Sequence, residues 1–473
     1  MLGSLNPLEI ALLIFVVLMI FNVIIFVHEL GHFWAAKWRG LKIDRFQIWF
    51  GKPIWKKEID GVQYGLGWIP AGGFVALPQM APMEAIEGGN RDEEGKPLPP
   101  ISPLDKIIVA FAGPLFSLLL ALLAGVGVWQ FGKPADFAPT QVVQEIEEGS
   151  PAEKAGFQPG DKITHINGRE VNGWDGRLDS IFMQIVTSEG DDIEFTVERD
   201  GEPMTLTSTF NIPDTPWYQR KGLRRVGISP ATEWIIVASV MPGSPAAHAG
   251  FEIQDRLVSV DGTEYDDTGK LIDFIKSQGT HPIEFVVERK GEPVTLSVTP
   301  QAPVKPEGES PMIGVSFMDS PVYERTLIHP TPFAQVADTA EMMWVTITKV
   351  ISPTSSLGPQ HLSGPVGIVQ IKFRLLQMDH PWLRILAFMV LLNVNLAILN
   401  LLPFPVLDGG HITLAALEGI AGRPVQAKVL GFLQTGFALL LFGFMIFVTS
   451  KDIGDNIKAK RQGPEYVWEK PTG

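Results

Sequence analysis

The apolar stretch LEIALLIFVVLMIFNVIIFV (residues 8–27) runs directly into HELGH (residues 28–32). The first part is about twenty residues long and has one charge, Glu9, at its edge, so a helix of this length crosses the ~30 Å hydrocarbon layer. A cleaved signal peptide is the alternative, but no basic segment precedes the run and no small-residue cleavage site follows it. The stretch therefore predicts a first membrane span that ends in ionisable residues.

Three further apolar stretches have the length of membrane spans. The predicted spans are Leu8–Val27, Ile107–Val128, Leu383–Leu402 and Val429–Val448. The predicted fold class is therefore a multi-pass α-helical membrane protein with four transmembrane helices. The third span contains Asn393, Asn395 and Asn400, and amide side chains inside lipid are costly unless they have a role.

The basic residues predict the orientation of these spans. Directly after the first span come Lys37, Arg39, Lys42, Arg45, Lys52, Lys56 and Lys57. The positive-inside rule places this loop in the cytoplasm and, by parity, residues 131–382 and the C-terminus outside. Lys458, Lys460 and Arg461 oppose this orientation, but the first span usually dominates.

Composition excludes several classes of protein. The chain has 473 residues, of which 45% are hydrophobic and 19% charged, and this excludes global disorder. A net charge of −14 argues against nucleic-acid binding. With 0 cysteines, the chain has no disulfides, iron–sulfur clusters, thiolate zinc sites or cysteine nucleophile.

The acidic segment between the second and third spans contains an internal repeat. GSPA at residues 149–152 recurs at residues 243–246, and VERDGEP at residues 197–203 recurs as VERKGEP at residues 287–293. Two matched blocks at one spacing predict duplicated domains. Each copy has short alternating strands that end at Asn-Gly or Asp-Gly turns.

After the repeats, residues 332–350 carry apolar side chains at helical spacing. Two interpretations remain open for this amphipathic helix. It packs domains against one another, or it lies on the outer membrane surface near the third span.

HELGH is an H-E-x-x-H motif. In a helix His28 and His32 lie one turn apart on one face, so both imidazoles reach one ion, and Glu29 reaches a water bound to that ion. A polar helix end at the membrane interface is the alternative. It does not explain three ionisable groups within five residues of an apolar span.

A catalytic zinc ion needs a third protein ligand at the same depth. The candidate is Asp408 in NLLPFPVLDGG (residues 400–410), a lone carboxylate in an apolar stretch broken by prolines. The alternative is an Asp-Gly turn that faces the cytoplasm. His411 is expected to be structural rather than a ligand.

Two neutral histidines and one carboxylate leave Zn²⁺ with a net charge of about +1, which lowers the pKa of bound water from 15.7 toward ~7. Glu29 would take the proton as general base and return it to the leaving amine. The expected chemistry is peptide hydrolysis without a covalent intermediate.

HELGH on the first span with NLLPFPVLDGG on the third resembles the site-2 protease family of intramembrane metalloproteases. The two repeats look like PDZ domains, and the resemblance covers nearly the whole chain. It implies that His28, His32 and Asp408 bind zinc and that Glu29 is the catalytic base.

The same resemblance implies that Asn400, Pro403 and Pro405 handle substrate. Prolines break a helix, and the Asn400 amide offers a donor and an acceptor to an extended peptide. The alternative for each proline is that it only ends the span.

Gly72 and Gly73 follow a hairpin signal at Asp60-Gly61 and match the family's membrane-associated β-hairpin loop. The edge of this hairpin would hold an unwound transmembrane segment by β-addition. An ordinary cytoplasmic hairpin is the alternative.

Two positions depart from the family pattern. Ser117 stands where the motif that begins with FAGP (residues 111–114) usually has asparagine, although a small polar residue still bonds across helices. Gln254 replaces the glycine that corresponds to Gly160. Neither repeat shows a clear carboxylate-binding loop, so the implied role of the outer domains is to exclude substrates whose outer parts are untrimmed.

The expected function is an intramembrane zinc endopeptidase of regulated intramembrane proteolysis. The resemblance implies single-span substrates such as anti-sigma factors, cut after an upstream protease, and remnant signal peptides as a second class. It also implies a bacterial inner membrane, with the PDZ domains extracytoplasmic and the active site near the cytoplasmic side. The alternatives are a catalytically inactive membrane-anchored PDZ scaffold and a peptidase of soluble cytoplasmic chains.

The predicted domain ranges follow from these assignments. They are 1–131 for the first two spans and the β-loop, 138–212 and 226–302 for the PDZ domains, 326–380 for the amphipathic helix and connector, 381–450 for the last two spans, and 451–473 for the tail.

Overall fold

The computed structural model describes residues 7–80, 98–99, 101–135, 140–174, 176–230, 232–265, 267–289, 291–321, 327–376, 378, 380–422, 427–461 and 466–468. Residues 462–465 and 469–473 of the predicted tail therefore lie outside the described residues. The helices are α1 (Pro7–Arg39), α2 (Pro103–Phe131), α3 (Pro151–Ala155), α4 (Ile181–Val186), α5 (Pro245–Ala249), α6 (Thr268–Ser277), α7 (Pro332–Ile351), α8 (Pro365–Leu375), α9 (Pro381–Leu401), α10 (Asp408–Ala421) and α11 (Ala427–Arg461).

The strands lie between these helices. They are β1 (Arg45–Ile59), β2 (Val62–Ala76), β3 (Lys133–Pro134), β4 (Val143–Ile146), β5 (Lys162–Ile166), β6 (Arg169–Glu170), β7 (Ile193–Arg199), β8 (Glu202–Ser208), β9 (Ile228–Pro230), β10 (Thr232–Val240), β11 (Arg256–Val260), β12 (Ile283–Arg289), β13 (Glu292–Val298), β14 (Val315–Pro321) and β15 (Leu327–Ile328).

Within the described residues, four helices are long and apolar enough to cross a membrane, namely α1, α2, α9 and α11. This confirms the four predicted spans. α1 does not stop at HELGH but continues to Arg39. His28 and His32 are therefore part of the same continuous helix that forms the first span.

α1 and α2 approach each other closely at two glycines. A Cβ atom on Gly31 would overlap the carbonyl oxygen of Ala112, and one on Gly113 would overlap the imidazole of His32. Small residues allow this kind of close helix contact in membranes. The contact places the backbone of α2 beside the histidine-bearing face of α1.

The amphipathic helix α7 packs against two spans. One apolar cluster joins α2, α9 and α7 and includes Ala121, Ala124, Val128, Val336, Ala340, Val390 and Val394. In the same helix, Phe333 and Trp344 are 75% and 67% exposed. The helix thus packs on the spans and also presents an apolar face suited to a lipid surface.

β1 and β2 form the hairpin expected around Asp60-Gly61, whose φ angles are 51° and 74°. The hairpin folds back on itself, because residues 45–48 pair both with residues 63–66 and with residues 73–76. Among the described residues, residues 73–76 have a strand partner on one side only, namely β1. Residues 73–76 are therefore an edge of this sheet.

The repeated blocks form two β-rich units with matching cores and matching ion pairs. In the first unit Arg199 donates to both carboxylate oxygens of Asp161 at 2.7 and 2.8 Å, and in the second Arg289 donates to Asp255 at 2.7 Å twice. Both carboxylates are buried. These residues lie in or beside the repeated sequence blocks, so the structure shows the duplication directly.

The strand pairing shifts the boundaries that were predicted at 212, 226 and 302. β9 pairs with β4 of the first unit, and β14 pairs with β10 of the second. Each closing strand begins in a repeated block that sequence analysis missed, VGIS (residues 226–229) and IGVS (residues 313–316). The first unit therefore extends to Pro230 and the second to Pro321.

A glycine is required at the start of both closing strands. Gly227 and Gly314 have φ angles of 85° and 77°. A Cβ atom would overlap Ser150 at the first glycine and Ser244 at the second. Each serine caps the helix that follows it, α3 or α5, so the closing strand lies against a helix start in both units.

The charge on Asp161 should stabilise the first unit above about pH 4. Burial acts to raise the pKa of Asp161, but hydrogen bonds from Arg199 and from the Gln158 backbone outweigh it and lower the pKa. Because the folded-state pKa lies below the unfolded value, this contribution is lost as pH falls through the folded-state pKa. Asp161→Asn should cost about 1–3 kcal/mol in the first unit.

Hydrogen exchange on the full-length chain checks this expectation. Amides in residues 143–230 should exchange faster in Asp161→Asn, while those in residues 232–321 stay unchanged. Asp255→Asn should give the reverse pattern, and Glu202→Gln, at an exposed position, should change neither unit. Equal acceleration in both units would contradict independent stabilisation.

Candidate metal centre

Three side chains from two distant segments meet beside the C-terminal half of α1. His28 and His32 come from α1 and are 7% and 9% exposed. Asp408 is the first residue of α10. It reaches the same depth because the chain leaves α9 after Leu401 and doubles back before α10 starts.

The three side chains present their atoms at even spacing. Nε2 of His28 lies 3.3 Å from Oδ2 of Asp408, Nε2 of His32 lies 3.4 Å from Oδ1, and the two Nε2 atoms are 3.3 Å apart. Ligands at 2.0–2.1 Å from zinc in tetrahedral geometry stand about 3.3–3.4 Å from one another. The spacing therefore fits one zinc ion.

The second nitrogen of each imidazole is bound to α2. Nδ1 of His32 donates to the carbonyl oxygen of Val109 at 2.8 Å, and Nδ1 of His28 lies 3.0 Å from Oγ of Ser117. A carbonyl only accepts, so His32 carries its proton on Nδ1, and the same tautomer suits His28. Both Nε2 lone pairs then face the Asp408 carboxylate.

In this tautomer the three clustered groups face one another as acceptors, and the neighbouring donor is Nδ2 of Asn400, which lies 3.3 Å from Nε2 of His28. Within the described part of the chain, Oδ2 of Asp408 is buried and has no hydrogen-bond donor. Two imidazole lone pairs and a carboxylate converging at this distance repel one another unless a cation lies between them. The donor set of two nitrogens and one oxygen is one that zinc accepts.

A cavity of about 470 Å³ opens beside the cluster. Glu29, Asn400 and His411 line it together with the three clustered residues. The side-chain nitrogen of Asn400 is 3.3 Å from Nε2 of His28. The predicted substrate residue Asn400 and the predicted base Glu29 therefore border the same space.

The edge strand forms another wall of this cavity. Gly72 and Gly73 line it together with Phe74 and Val75. The carboxylate of Glu29 accepts a hydrogen bond from the backbone N–H of Val75. A Cβ atom on Gly73 would lie 3.4 Å from Cγ of Glu29, so glycine keeps the strand close to the glutamate.

Pro403 and Pro405 are not among the described residues that line the cavity. Pro403 follows the end of α9, and the carbonyl oxygen of Pro405 accepts from Nε2 of Gln434 in α11 at 3.2 Å. Phe404 between them stacks on Phe437 at 4.6 Å. The structure thus places the prolines in the turn that leads to Asp408.

Sequence reasoning missed the Val109 carbonyl and the Val75 amide. Both are backbone groups, which carry no residue-type signal. Ser117 was noticed as a departure from the family pattern, but its bond to His28 follows only from the packing of α2 on α1.

The sequence profile of Peptidase family M50 matches residues 16–443. The chain belongs to peptidase family M50. The regulator of sigma-E protease RseP from Salmonella typhimurium is 28% identical over 453 residues, covering 90% of this chain and 95% of the relative. A putative zinc metalloprotease from Vibrio cholerae is 28% identical over 425 residues, covering 86% and 91%.

Among solved structures, the PDZ domain of an SdrC-like protein from Listeria monocytogenes matches 19% of this chain and 93% of its own, at 20% identity and a TM-score of 0.17.

The M50 chain is a zinc metalloprotease with four apolar helices. It is an intramembrane protease of the kind that carries out regulated intramembrane proteolysis.

Removing the Ser117 hydroxyl should weaken zinc binding. Ser117→Ala takes away the group that fixes the His28 ring, and loss of such a supporting partner typically lowers metal affinity about 10–100-fold. Competition with a chromogenic chelator measures this affinity independently of activity. Ser117→Asn, the residue usual in the family, should restore it, and an unchanged affinity in Ser117→Ala would contradict the orienting role.

Proposed function

We propose that His28, His32 and Asp408 hold the zinc ion and that Glu29 is the general base of a protease that cuts transmembrane segments of single-span membrane proteins. The observation that supports this proposal is the convergence of three acceptors at zinc-ligand spacing beside Glu29, with both histidines on a helix that is long and apolar enough to cross a membrane. A bound Zn²⁺ would activate water and polarise the scissile carbonyl.

Glu29 is held where a base is needed. It follows His28 on α1, lines the cavity, and accepts from the Val75 N–H. This bond fixes the carboxylate between the cluster and the strand edge. Its other oxygen is left to take a proton from water and to pass it to the leaving nitrogen.

We propose that residues 73–76 bind the substrate as an added strand. One side of this segment pairs with β1, and the segment lines the cavity. A transmembrane helix hides its peptide bonds, so it must unwind before cleavage. Pairing with a strand edge satisfies the backbone groups that unwinding exposes.

Asn400, Gly72 and Gly73 support this binding mode directly, and the prolines support it indirectly. The Asn400 amide borders the cluster and offers a donor and an acceptor to an extended peptide. Gly72 has φ +75° and Gly73 has no side chain to block the substrate. Pro403 and Pro405 shape the turn that carries Asp408.

We propose further that the two β-rich units are PDZ domains on the outer side of a bacterial inner membrane, with the metal centre near the cytoplasmic side. They would exclude membrane proteins whose outer domains are intact. An upstream protease would trim substrates such as anti-sigma factors first, and remnant signal peptides would be admitted because their outer parts are short.

The alternative functions leave parts of the molecule without a role. A catalytically inactive scaffold would use the β-rich units but has no need for buried acceptors that repel one another without a cation. A peptidase of soluble cytoplasmic chains has no need to place the cavity beside membrane helices.

Glu29→Gln and Asp408→Asn separate the two proposed roles. Glu29→Gln should retain zinc but cut a single-span substrate at least about 100-fold more slowly, because it cannot accept the proton. Asp408→Asn should lose zinc during dialysis. Elemental analysis and cleavage of purified protein in detergent give both readouts.

His411→Gln serves as the matched control. His411 also lines the cavity, and it is next to the proposed ligand in space, but it should keep stoichiometric zinc. Cleavage at the wild-type rate by Glu29→Gln would contradict its role as the general base. A full complement of zinc in Asp408→Asn would contradict its role as a zinc ligand.

Single cysteines should report the orientation, because the chain has 0 cysteines of its own. Glu202→Cys in the first unit should react with a membrane-impermeant maleimide in spheroplasts, whereas Lys56→Cys in the hairpin should react only after lysis. Both side chains are exposed. The opposite labelling pattern would reverse the proposed topology.

A further inference from the structure

The C-terminal segment Tyr466–Trp468 lies against the second β-rich unit, although it is beyond the residues that match the family. Val467 donates to the carbonyl of Lys305 at 3.0 Å and accepts from the N–H groups of Val304 at 2.6 Å and Lys305 at 3.3 Å. The tail therefore adds a short antiparallel bridge to the chain that joins β13 to β14.

Trp468 anchors this bridge. Trp468 is only 7% exposed, and its indole Nε1 donates to the carbonyl of Gln301 at 3.2 Å. The ring lies 3.2 Å from the position that a Cβ on Gly314 would take. The indole thus lies beside the glycine at the start of the closing strand, where Ser244 is the other close side chain.

The tail follows α11 in the chain, and the last turns of α11 also contact residues 219–220 of the first unit, between β8 and β9. The Arg220 guanidinium pairs with Asp452 and Asp455 of α11, and Nζ of Lys451 donates to the carbonyl of Gln219 at 3.2 Å. α11 therefore contacts the first unit through the segment between β8 and β9, and the second unit is linked to α11 through the tail.

We propose that residues 301–305 and Gly314 form a docking site for the chain's own Tyr466–Trp468 segment. We infer that this docking holds the second unit in place and thereby sets the size of the outer substrate part that can reach the cavity. The inference rests on the proposed function, because a size limit has meaning only for a membrane protease.

The chemistry of the contact suits reversible docking. One buried indole and a few backbone hydrogen bonds give modest affinity between separate molecules. A short covalent connection raises the effective concentration to the order of mM, so the tail stays bound most of the time without being fixed. Such a contact holds the unit in its resting position and still lets it move.

A first experiment tests the docking itself. Val467→Cys with Lys305→Cys should form a disulfide on mild oxidation, because the two residues face each other across the bridge. Val467→Cys with Glu292→Cys, at the far end of β13, should not. A fluorescent peptide PEYVWEK (residues 464–470) should bind the full-length Trp468→Ala protein and not the wild type, whose site is occupied. Equal peptide binding by both proteins would overturn the docking.

A second experiment tests its consequence. Two single-span substrates share one transmembrane segment, and one carries a short outer stub while the other carries a folded outer domain. Trp468→Ala should raise cleavage of the folded-domain substrate relative to the stub substrate at least tenfold. The oxidised Val467→Cys/Lys305→Cys protein should keep the wild-type ratio or lower it, and reduction should reverse any lowering.

The stub substrate separates failure of this inference from failure of the proposed function. Its cleavage should be equal in the wild type, Trp468→Ala and the cross-linked protein. If the stub is cut but the ratio does not change in Trp468→Ala, the size-limit inference is wrong while the protease assignment stands. If the wild type fails to cut the stub, the proposed function itself is wrong.

Discussion

The convergence of His28, His32 and Asp408 is the constraint on which the molecule depends. Three acceptors at 3.3–3.4 Å are unfavourable in a low-dielectric membrane protein unless a cation compensates them. Every surrounding contact favours that compensated state. The Val109 carbonyl and the Ser117 hydroxyl hold the Nδ1 atoms, so both Nε2 lone pairs face inward. A zinc ion at the proposed site would therefore be a part of the membrane fold as well as of the chemistry.

Backbone geometry, rather than side-chain packing, brings the cluster together. A Cβ atom on Gly31 or Gly113 would force α1 and α2 apart and would break the bonds from α2 to the imidazoles. On the other segment, a Cβ on Gly409 would overlap the carbonyl oxygens of Leu401 and Leu402, and one on Gly410 would overlap that of Phe404. The chain can therefore double back after α9 only because two glycines, Gly409 and Gly410, directly follow Asp408.

The spans and the metal cluster could be predicted because both rest on strong local patterns. An apolar run of about twenty residues has few alternatives, and HELGH places two imidazoles on one helix face. Asp408 stood out as a lone carboxylate in an apolar stretch. The closing strands at VGIS and IGVS were missed because each lies outside the block that it completes, and strand pairing between distant segments leaves no local signal. The Val75 amide was hidden for the same reason.

α11 connects the first β-rich unit to the turn that carries Asp408. Near its start, Gln434 and Phe437 contact Pro405 and Phe404. Near its end, the buried Asp452 accepts from the N–H of Gly367 at 2.8 Å, at the start of α8, and pairs with Arg220 of the first unit. These points are about 27 Å apart along one helix at 1.5 Å per residue. One continuous helix therefore joins the segment between β8 and β9 of the first unit to the turn that carries Asp408.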